Sequence, residues 1–254
     1  MAIWALADLH LAFSTPNKRM DVFGGAWVNY TDKIAANWRR CVAPGDLVLL
    51  PGDISWAMQR QEALIDLDWI DALPGVKVMI RGNHDYWWTS SSKVQALLPP
   101  SIHIIHNDAF HWHRVGVAGT RLWDSSEFSF EGYIDYIDNP IIKQFSAPSP
   151  SAEETEKVFL RELGRLEMSL KCLKPTAQLR LAMTHYPPIG PELLPTRTTA
   201  LLEKYGIQYC IFGHVHSVRT GVNFSGQLNG IHYLFAACDW LDCHPLKVCE
   251  WPML

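Results

Sequence analysis

Short apolar runs, each succeeded at once by polar residues, punctuate the chain. The runs are Ile3 to Ala7, Leu47 to Pro51, Val76 to Ile80, Leu179 to Met183 and Tyr209 to Phe212. Each is brief and rich in Val, Ile and Leu, the pattern of a strand buried on both faces. Between them the apolar residues change period. Ala26 to Cys41 places Trp27, Ile34, Trp38 and Cys41 at helical spacing, and Gln59 to Leu73 does the same with Ala63, Leu64, Leu67, Ile70 and Leu73 before Pro74-Gly75. A short helix over 92–98 and a long amphipathic one over 153–173 are expected too. Ile102 to Ile105, Ala109 to His113, Val115 to Gly119 and Leu246 to Glu250 read as further strands. The alternation predicts an α/β fold.

These five apolar runs lead into chemically specific motifs. The motifs are Asp8-Leu9-His10, Gly52-Asp53, Gly82-Asn83-His84-Asp85, Thr184-His185 and Gly213-His214-Val215-His216. The carboxyl edge of an open α/β sheet is where ligands bind. Residues i and i+2 of an extended chain share a side, so Asp8 can act with His10, and His214 with His216. The set comprises Asp8, His10, Asp53, Asn83, His185, His214 and His216, two carboxylates, an amide and four imidazoles without a thiolate. These donors suit Mn, Fe, Zn, Co, Ni or Mg rather than Cu(I) or an iron–sulfur cluster. They are too many for one tetrahedral ion and enough for two divalent metal ions sharing a carboxylate. Taken singly, Asp-x-His or Gly-Asn-His-Asp is a turn or a cap. Five in order define a site.

As a set, these motifs resemble the calcineurin-like metallophosphoesterases: Asp-x-His, Gly-Asp, Gly-Asn-His-(Asp/Glu), a lone His, then Gly-His-x-His. The resemblance spans Asp8 to His216. It implies a four-layer α/β/β/α sandwich with two mixed sheets and the metal site at the carboxyl ends of the strands. It also implies two metal sites. Asp8, His10, Asp53 and His216 would hold one ion, with Asp53, Asn83, His185 and His214 on the other and Asp53 bridging. Mn is the first expectation for both. His84 would be the catalytic acid or charge stabiliser, with Asp85 orienting its ring. The implied activity is hydrolysis of a phosphoester, mono- or diester, by in-line attack of a metal-bridging hydroxide.

Two departures bear on the branch. Gly52-Asp53-Ile54-Ser55-Trp56-Ala57 lacks the second Asp and the Arg-Gly of protein Ser/Thr phosphatases, and Asp85 stands where they carry Glu. The lipid-precursor pyrophosphatases commonly carry Arg where His84 stands. Both remain alternatives, as does, in another class, a non-catalytic scaffold. Scaffolds tend to lose a ligand or the catalytic histidine, and neither is lost here.

Composition narrows the setting. A chain of 254 residues, 48% hydrophobic, with net charge −4, has the size and balance of a single domain over 1–254. No long basic run indicates nucleic acid, and no apolar segment nears the ~20 residues of a membrane span. The start of the chain has no basic region of the secretory kind, and a reduced cytoplasmic enzyme is expected. Cys41, Cys172 and Cys210 read as small buried groups. Cys238, Cys243, His244 and Cys249 are spaced wrongly for a zinc site. Nothing in the sequence sets an oligomeric state.

The irregular stretch 121–150 is aromatic-rich and reads either as a packed excursion or as a lid over the substrate. The expected partner is a small phosphorylated molecule. Its candidate contacts are Lys18, Arg19, Tyr86, Trp87, Arg121, Trp123, Tyr133, Tyr136 and Arg197.

Overall fold

A computed structural model describes residues 1–135, 137 and 150–252. In chain order the elements are β1 (Ala2–Ala5), α1 (Tyr30–Cys41), β2 (Leu47–Leu50), α2 (Arg60–Asp71), β3 (Val76–Met79), α3 (Ser91–Gln95), β4 (Ile102–Ile104), β5 (Ala109–Trp112) and β6 (Val115–Thr120). After them come α4 (Ala152–Lys171), β7 (Leu179–Thr184), α5 (Arg197–Lys204), β8 (Tyr209–Phe212), β9 (Gly226–Leu228), β10 (Ile231–Phe235) and β11 (Leu246–Glu250). The first helix starts later than its apolar spacing suggested. A 3-10 turn at Gly25–Trp27 precedes it, and Asn29 takes a left-handed conformation just before Tyr30.

The strands form two mixed sheets, one ordered β11-β1-β2-β3-β4 and the other β5-β6-β7-β8-β10-β9. Within each the central strands are parallel, and antiparallel partners close the ends at β11, β5 and β9. β4 and the β5–β6 hairpin, adjacent in sequence, therefore belong to different sheets.

Period-two alternation inside the apolar runs sorts the core into three layers. Leu47, Leu49 and Val78 meet Leu181, Met183 and Ile211 between the sheets. Val48, Leu50 and Met79 face outward against Ile34, Trp38, Leu67 and Ile70 of α1 and α2. Ala118, Ala182, Cys210 and Phe212 face outward on the second sheet against Leu166, Leu170 and Leu202 of α4 and α5. The result is a four-layer α/β/β/α sandwich.

The sheets join at one corner. Ala7 lies just past β1 and bridges Ala237 just past β10; its N–H donates to Ala236 O at 2.7 Å, and its carbonyl accepts from Cys238 N at 3.1 Å. That junction brings the carboxyl ends of both sheets together. All six cysteines are free; Cys210, Cys238 and Cys243 are buried, while Cys172 is exposed, contrary to its apolar reading. Cys172 sits at the C-cap of α4, between the core residues Leu170 and Leu173 but on the exposed side. Among the described residues no helix is long and apolar enough to cross a membrane.

Lys77 interrupts the apolar run of β3 yet is only 1% exposed. Its ammonium donates to the carbonyl oxygens of Asp71 (3.1 Å) and Leu73 and to Ser101 Oγ (2.9 Å), tying the end of α2 to the start of β4. Burial pushes this amine from 10.5 down to about 8. The folded chain then binds fewer protons than the unfolded chain between about pH 8 and 10.5, so this residue's contribution to stability grows as pH rises through that window. Prediction: in urea unfolding, the stability of the parent chain relative to Lys77→Met increases from pH 8 to pH 10. A difference that stays flat or shrinks would refute the buried-amine reading.

Candidate metal centre

Every one of the five motifs lies just beyond a strand at the joined corner, and the backbone there is unusual. Asp8, His10, Asp53 and His214 have φ of 59°, 45°, 51° and 72°. Left-handed backbone outside glycine costs on the order of 1–3 kcal/mol per residue and concentrates at functional sites. Here it turns side chains from separate loops toward one point. Hydrogen bonds between the loops hold the strain. Asp53 Oδ1 accepts from His84 N at 2.8 Å, and Asp8 Oδ2 accepts from His214 N at 2.9 Å. These contacts explain two motif glycines. A Cβ on Gly82 would lie 2.0 Å from Asp53 Oδ1, and one on Gly213 would lie 2.3 Å from Asp8 Oδ2.

With one oxygen of each carboxylate fixed by a backbone N–H, the other oxygen faces imidazole nitrogens. Asp53 Oδ2 lies 3.8 Å from His10 Nε2 and 3.5 Å from His185 Nε2. Asp8 Oδ1 is buried and has no hydrogen-bond partner among the described residues. Asn83 Oδ1 is 2.6 Å from His185 Nε2 and 3.0 Å from His214 Nδ1. His10 Nε2 and His216 Nε2 are 3.2 Å apart. All seven expected ligands thus converge. Two compact triads stand out, Asp8–His10–His216 and Asp8–Asp53–His185, each with donor atoms within 4.8 Å of one another. Asp8 approaches His185 through Nδ1 (3.7 Å), the nitrogen that already serves the Pro51 carbonyl at 3.0 Å. Asp53 Oδ2 instead faces Nε2 of both His185 and His10, while Asp8 is the residue common to both triads.

Burial dominates the protonation pattern of the cluster. Burial raises Asp8 and Asp53 above the usual carboxylate range. Burial lowers His185 to about 3, so its single proton goes to Pro51 and a lone pair is left pointing at the Asn83 oxygen. His10 and His214 are also pushed down, by burial and by the neighbouring histidines. Unpaired buried oxygens and converging lone pairs are costly unless a cation satisfies them. The donor set fits divalent metal ions.

His216 behaves differently, and the reason is a residue that motif reading missed. Burial opposes its charge, but the Asp239 carboxylate, 2.9 Å from Nδ1, raises it to about 9. Asp239 also accepts from Ser217 N at 3.1 Å. A carboxylate behind a histidine fixes the tautomer and leaves Nε2 for a metal. No spacing rule links position 239 to 216. The only signal was an Asp soon after the apolar stretch Ile231 to Ala237.

Around this cluster the other candidates divide. His84 is half-buried against Trp56 (ring centroids 4.4 Å) and 5.7 Å from His10, and Tyr86 OH lies 3.4 Å from its Nδ1. Asp85 does not orient that ring, contrary to expectation. Its carboxylate accepts from Ile54 N, Ser55 N, Gly82 N and Trp87 Nε1 at 2.8–3.1 Å, joining the Asp53 and Asn83 loops. Burial and nearby Asp53 push it up to about 6. Trp87 is core, buried with Trp88 rather than lining a pocket. Arg197 is bound to Glu156 and Glu127 beside Phe159, in a surface groove with Leu160 and Lys204. It does not line either of the cavities that reach the cluster. Tyr133 is engaged by Glu192 (2.8 Å) and Phe224 and lines neither cavity that reaches the cluster. Tyr136 lies outside the described residues.

Lys18 and Arg19 line a cavity that reaches His10, His84 and His216. Arg19 is paired with Asp21, while Lys18 Nζ stands 5.5 Å over the Trp56 ring. Trp123 lines a second cavity that reaches His214 and His216. Arg121 lies over Trp123 at 4.7 Å and 3.6 Å from buried Glu162. Trp27 and Trp56, which motif reading did not single out as site residues, flank His10 at 5.7 and 5.1 Å.

A family model for calcineurin-like phosphoesterases matches residues 1–218. The chain belongs to that family. Its members are metal-dependent, in keeping with the donor cluster. Among solved structures, the fold is similar to the phosphopantetheinyl hydrolase PptH of Mycobacterium tuberculosis, with a TM-score of 0.53 and 13% identity over 100% of this chain and 97% of that one. It is also similar to a candidate 5′-nucleotidase from Staphylococcus aureus, with a TM-score of 0.50 and 14% identity over 92% of this chain. This chain spans only 48% of that larger protein. A search of curated proteins gave no match.

Prediction: Asp239→Ala lowers metal affinity by about 10–100-fold, the usual cost of losing a partner behind a metal-binding histidine. Metal content after dialysis against graded chelator reads this directly. Unchanged retention would show that Asp239 has no hold on the site.

Proposed function

We propose that this protein is a binuclear metal-dependent phosphohydrolase acting on a small phosphoester. The convergence of all seven donor side chains with an intact His84 carries the reading. Asp8, His10, Asp53 and His216 would hold one divalent ion and Asp53, Asn83, His185 and His214 the other. When bound, such ions supply a water of lowered pKa and positive charge for the phosphoryl oxygens. Mn is the first candidate, with Fe, Zn, Co, Ni and Mg open to the same donors.

The chain's own groups then divide the work. Asp53 keeps Oδ2 between the two halves because Oδ1 is fixed by His84 N–H. His185 and His216 present Nε2 because Pro51 and Asp239 engage Nδ1. His84 is outside the donor set. With Nδ1 facing the Tyr86 hydroxyl, its Nε2 is left to protonate the leaving oxygen. The Asp85 carboxylate acts at one remove by fixing the loops that carry Asp53 and His84. A scaffold role is disfavoured because it would have no use for His84 beside a complete donor set.

Two predictions separate these roles. Asp53→Asn should lose binuclear occupancy and nearly all turnover of an aryl phosphate, read by mass-spectrometric metal analysis and rate together. Two retained metals with normal turnover would remove Asp53 from the shared position. His84→Ala should retain both metals and lose about 10²–10⁴-fold in turnover, more for an alkyl than for a nitrophenyl leaving group. Metal content falling in step with activity would make His84 a ligand instead.

A further inference from the structure

Among the described residues, two cavities open on the metal cluster, and their linings share only His216 and Ile134. The first, of about 570 Å³, is walled by Phe23, Trp27, Trp56 and Lys18 and contains His84. The second, of about 640 Å³, is walled by Trp123, Phe128, Phe130 and Tyr186 and contains His214. Each is within the size range of a small-molecule site.

The partition between them is built into the backbone. Ile134 bridges Val218, Asp135 N donates to Ser217 O at 2.8 Å, and Arg219 N donates to Tyr133 O at 3.0 Å. The Arg219 side chain adds bonds to Asp135 Oδ1 and the Gly132 carbonyl, both at 2.8 Å. This part of the excursion is thereby sewn to the loop that comes after His216, and it divides the approach to the cluster in two.

A phosphomonoester carries one organic arm and would leave one aromatic cavity filled with water. A diester carries two. We infer that the substrate is a phosphodiester, with its leaving arm in the Trp27–Trp56 cavity beside His84 and its retained arm in the Trp123–Phe128 cavity beside His214. This rests on the phosphoesterase reading above and adds the substrate class to it. Charge distinguishes the arms. Lys18 over Trp56 suits a leaving arm with an anionic or oxygen-rich end. The second cavity holds Asp124 and Glu131, and its Arg219 is already paired with Asp135, so it suits an uncharged or cationic retained arm. In the reaction, water adds to phosphorus and the bond from phosphorus to the leaving-arm oxygen breaks. That oxygen receives a proton from His84, the proton shed by the attacking water passes to solvent, from which His84 is recharged, and the products are an alcohol and a phosphomonoester.

The test uses the full chain loaded with Mn and three substrates with one leaving group: 4-nitrophenyl phosphate, methyl 4-nitrophenyl phosphate and phenyl 4-nitrophenyl phosphate. The expected order of kcat/KM is phenyl diester, methyl diester, monoester. The phenyl arm should be worth about tenfold over methyl, or about 1.4 kcal/mol. Phe128→Ala should shrink that phenyl-to-methyl ratio toward one. The ratio is internal to each enzyme preparation, so a partly folded or partly loaded variant still reads correctly. A preference for the monoester, or a ratio unchanged by Phe128→Ala, would overturn the two-arm assignment alone. No turnover of any of the three with Mn, Zn, Fe or Co would overturn the phosphoesterase reading and this inference with it.

Discussion

Two carboxylates buried together at the meeting edge of two sheets are the constraint on which the rest of this molecule turns. Asp8 and Asp53 are 0% and 1% exposed. Such groups are tolerated only when hydrogen bonds and opposite charge replace the water they have lost. The protein provides the first part itself, through the backbone N–H groups of His84 and His214. His216, raised to about 9, supplies part of the second, and the divalent ions proposed above would supply the rest. Much of the local architecture is set by this need: left-handed backbone at four site residues, glycines where a Cβ would displace a carboxylate, and histidines with one nitrogen committed elsewhere. The same constraint accounts for the aromatic wall. Trp27 and Trp56 pack on His10 and bury its ring, which strengthens electrostatic interactions beside it.

The parts legible in the sequence were those with a local physical signature. Strands buried on both faces must be apolar runs, so β1, β2, β3, β7 and β8 could be read directly. The donor motifs were legible because sharp loops at strand ends need Gly, Asp, Asn and His at fixed offsets. What escaped depended on distance. Asp239 finds His216 only through folding, and Trp56 becomes a wall of the site only because its loop returns beneath His84. Asp85 looked like a partner for the histidine beside it in sequence. Its side chain turns instead to the Ile54 and Ser55 amides some thirty positions away, and to Gly82 N and Trp87 Nε1 close by, because four N–H donors together outweigh one imidazole.

Some misses were of a different kind, with signals present but short. β9 and β10 form a hairpin whose turn is Asn229-Gly230, with φ of 49° and 83°, a pair well suited to a tight hairpin turn. Its first strand, Gly226-Gln227-Leu228, is only three residues long, too brief for period-two alternation to register. α5 is eight residues long and announced itself by Thr196, whose hydroxyl accepts from Thr199 N. A cap without a long apolar stripe was easily passed over. Arg197 illustrates the hazard of position alone. It comes after a loop near the site in sequence, but as the first residue of α5 it faces acidic neighbours on the outer surface.

The corner at Ala7 and Ala237 has a consequence for how the molecule is made. Asp8, His10, Asp53 and Asn83 come from loops of one sheet, while His185, His214 and His216 come from the other. Neither sheet alone owns a complete donor set, and the contacts that complete it join residues separated by as much as 206 positions. Pairings of such high sequence separation close late, after the entropy of the intervening loops has been lost. A nascent chain therefore has no finished pocket to fill until its last parallel strands are laid down. In the proposed metalloenzyme, capture of an ion would follow the joining of the two sheets rather than template either one.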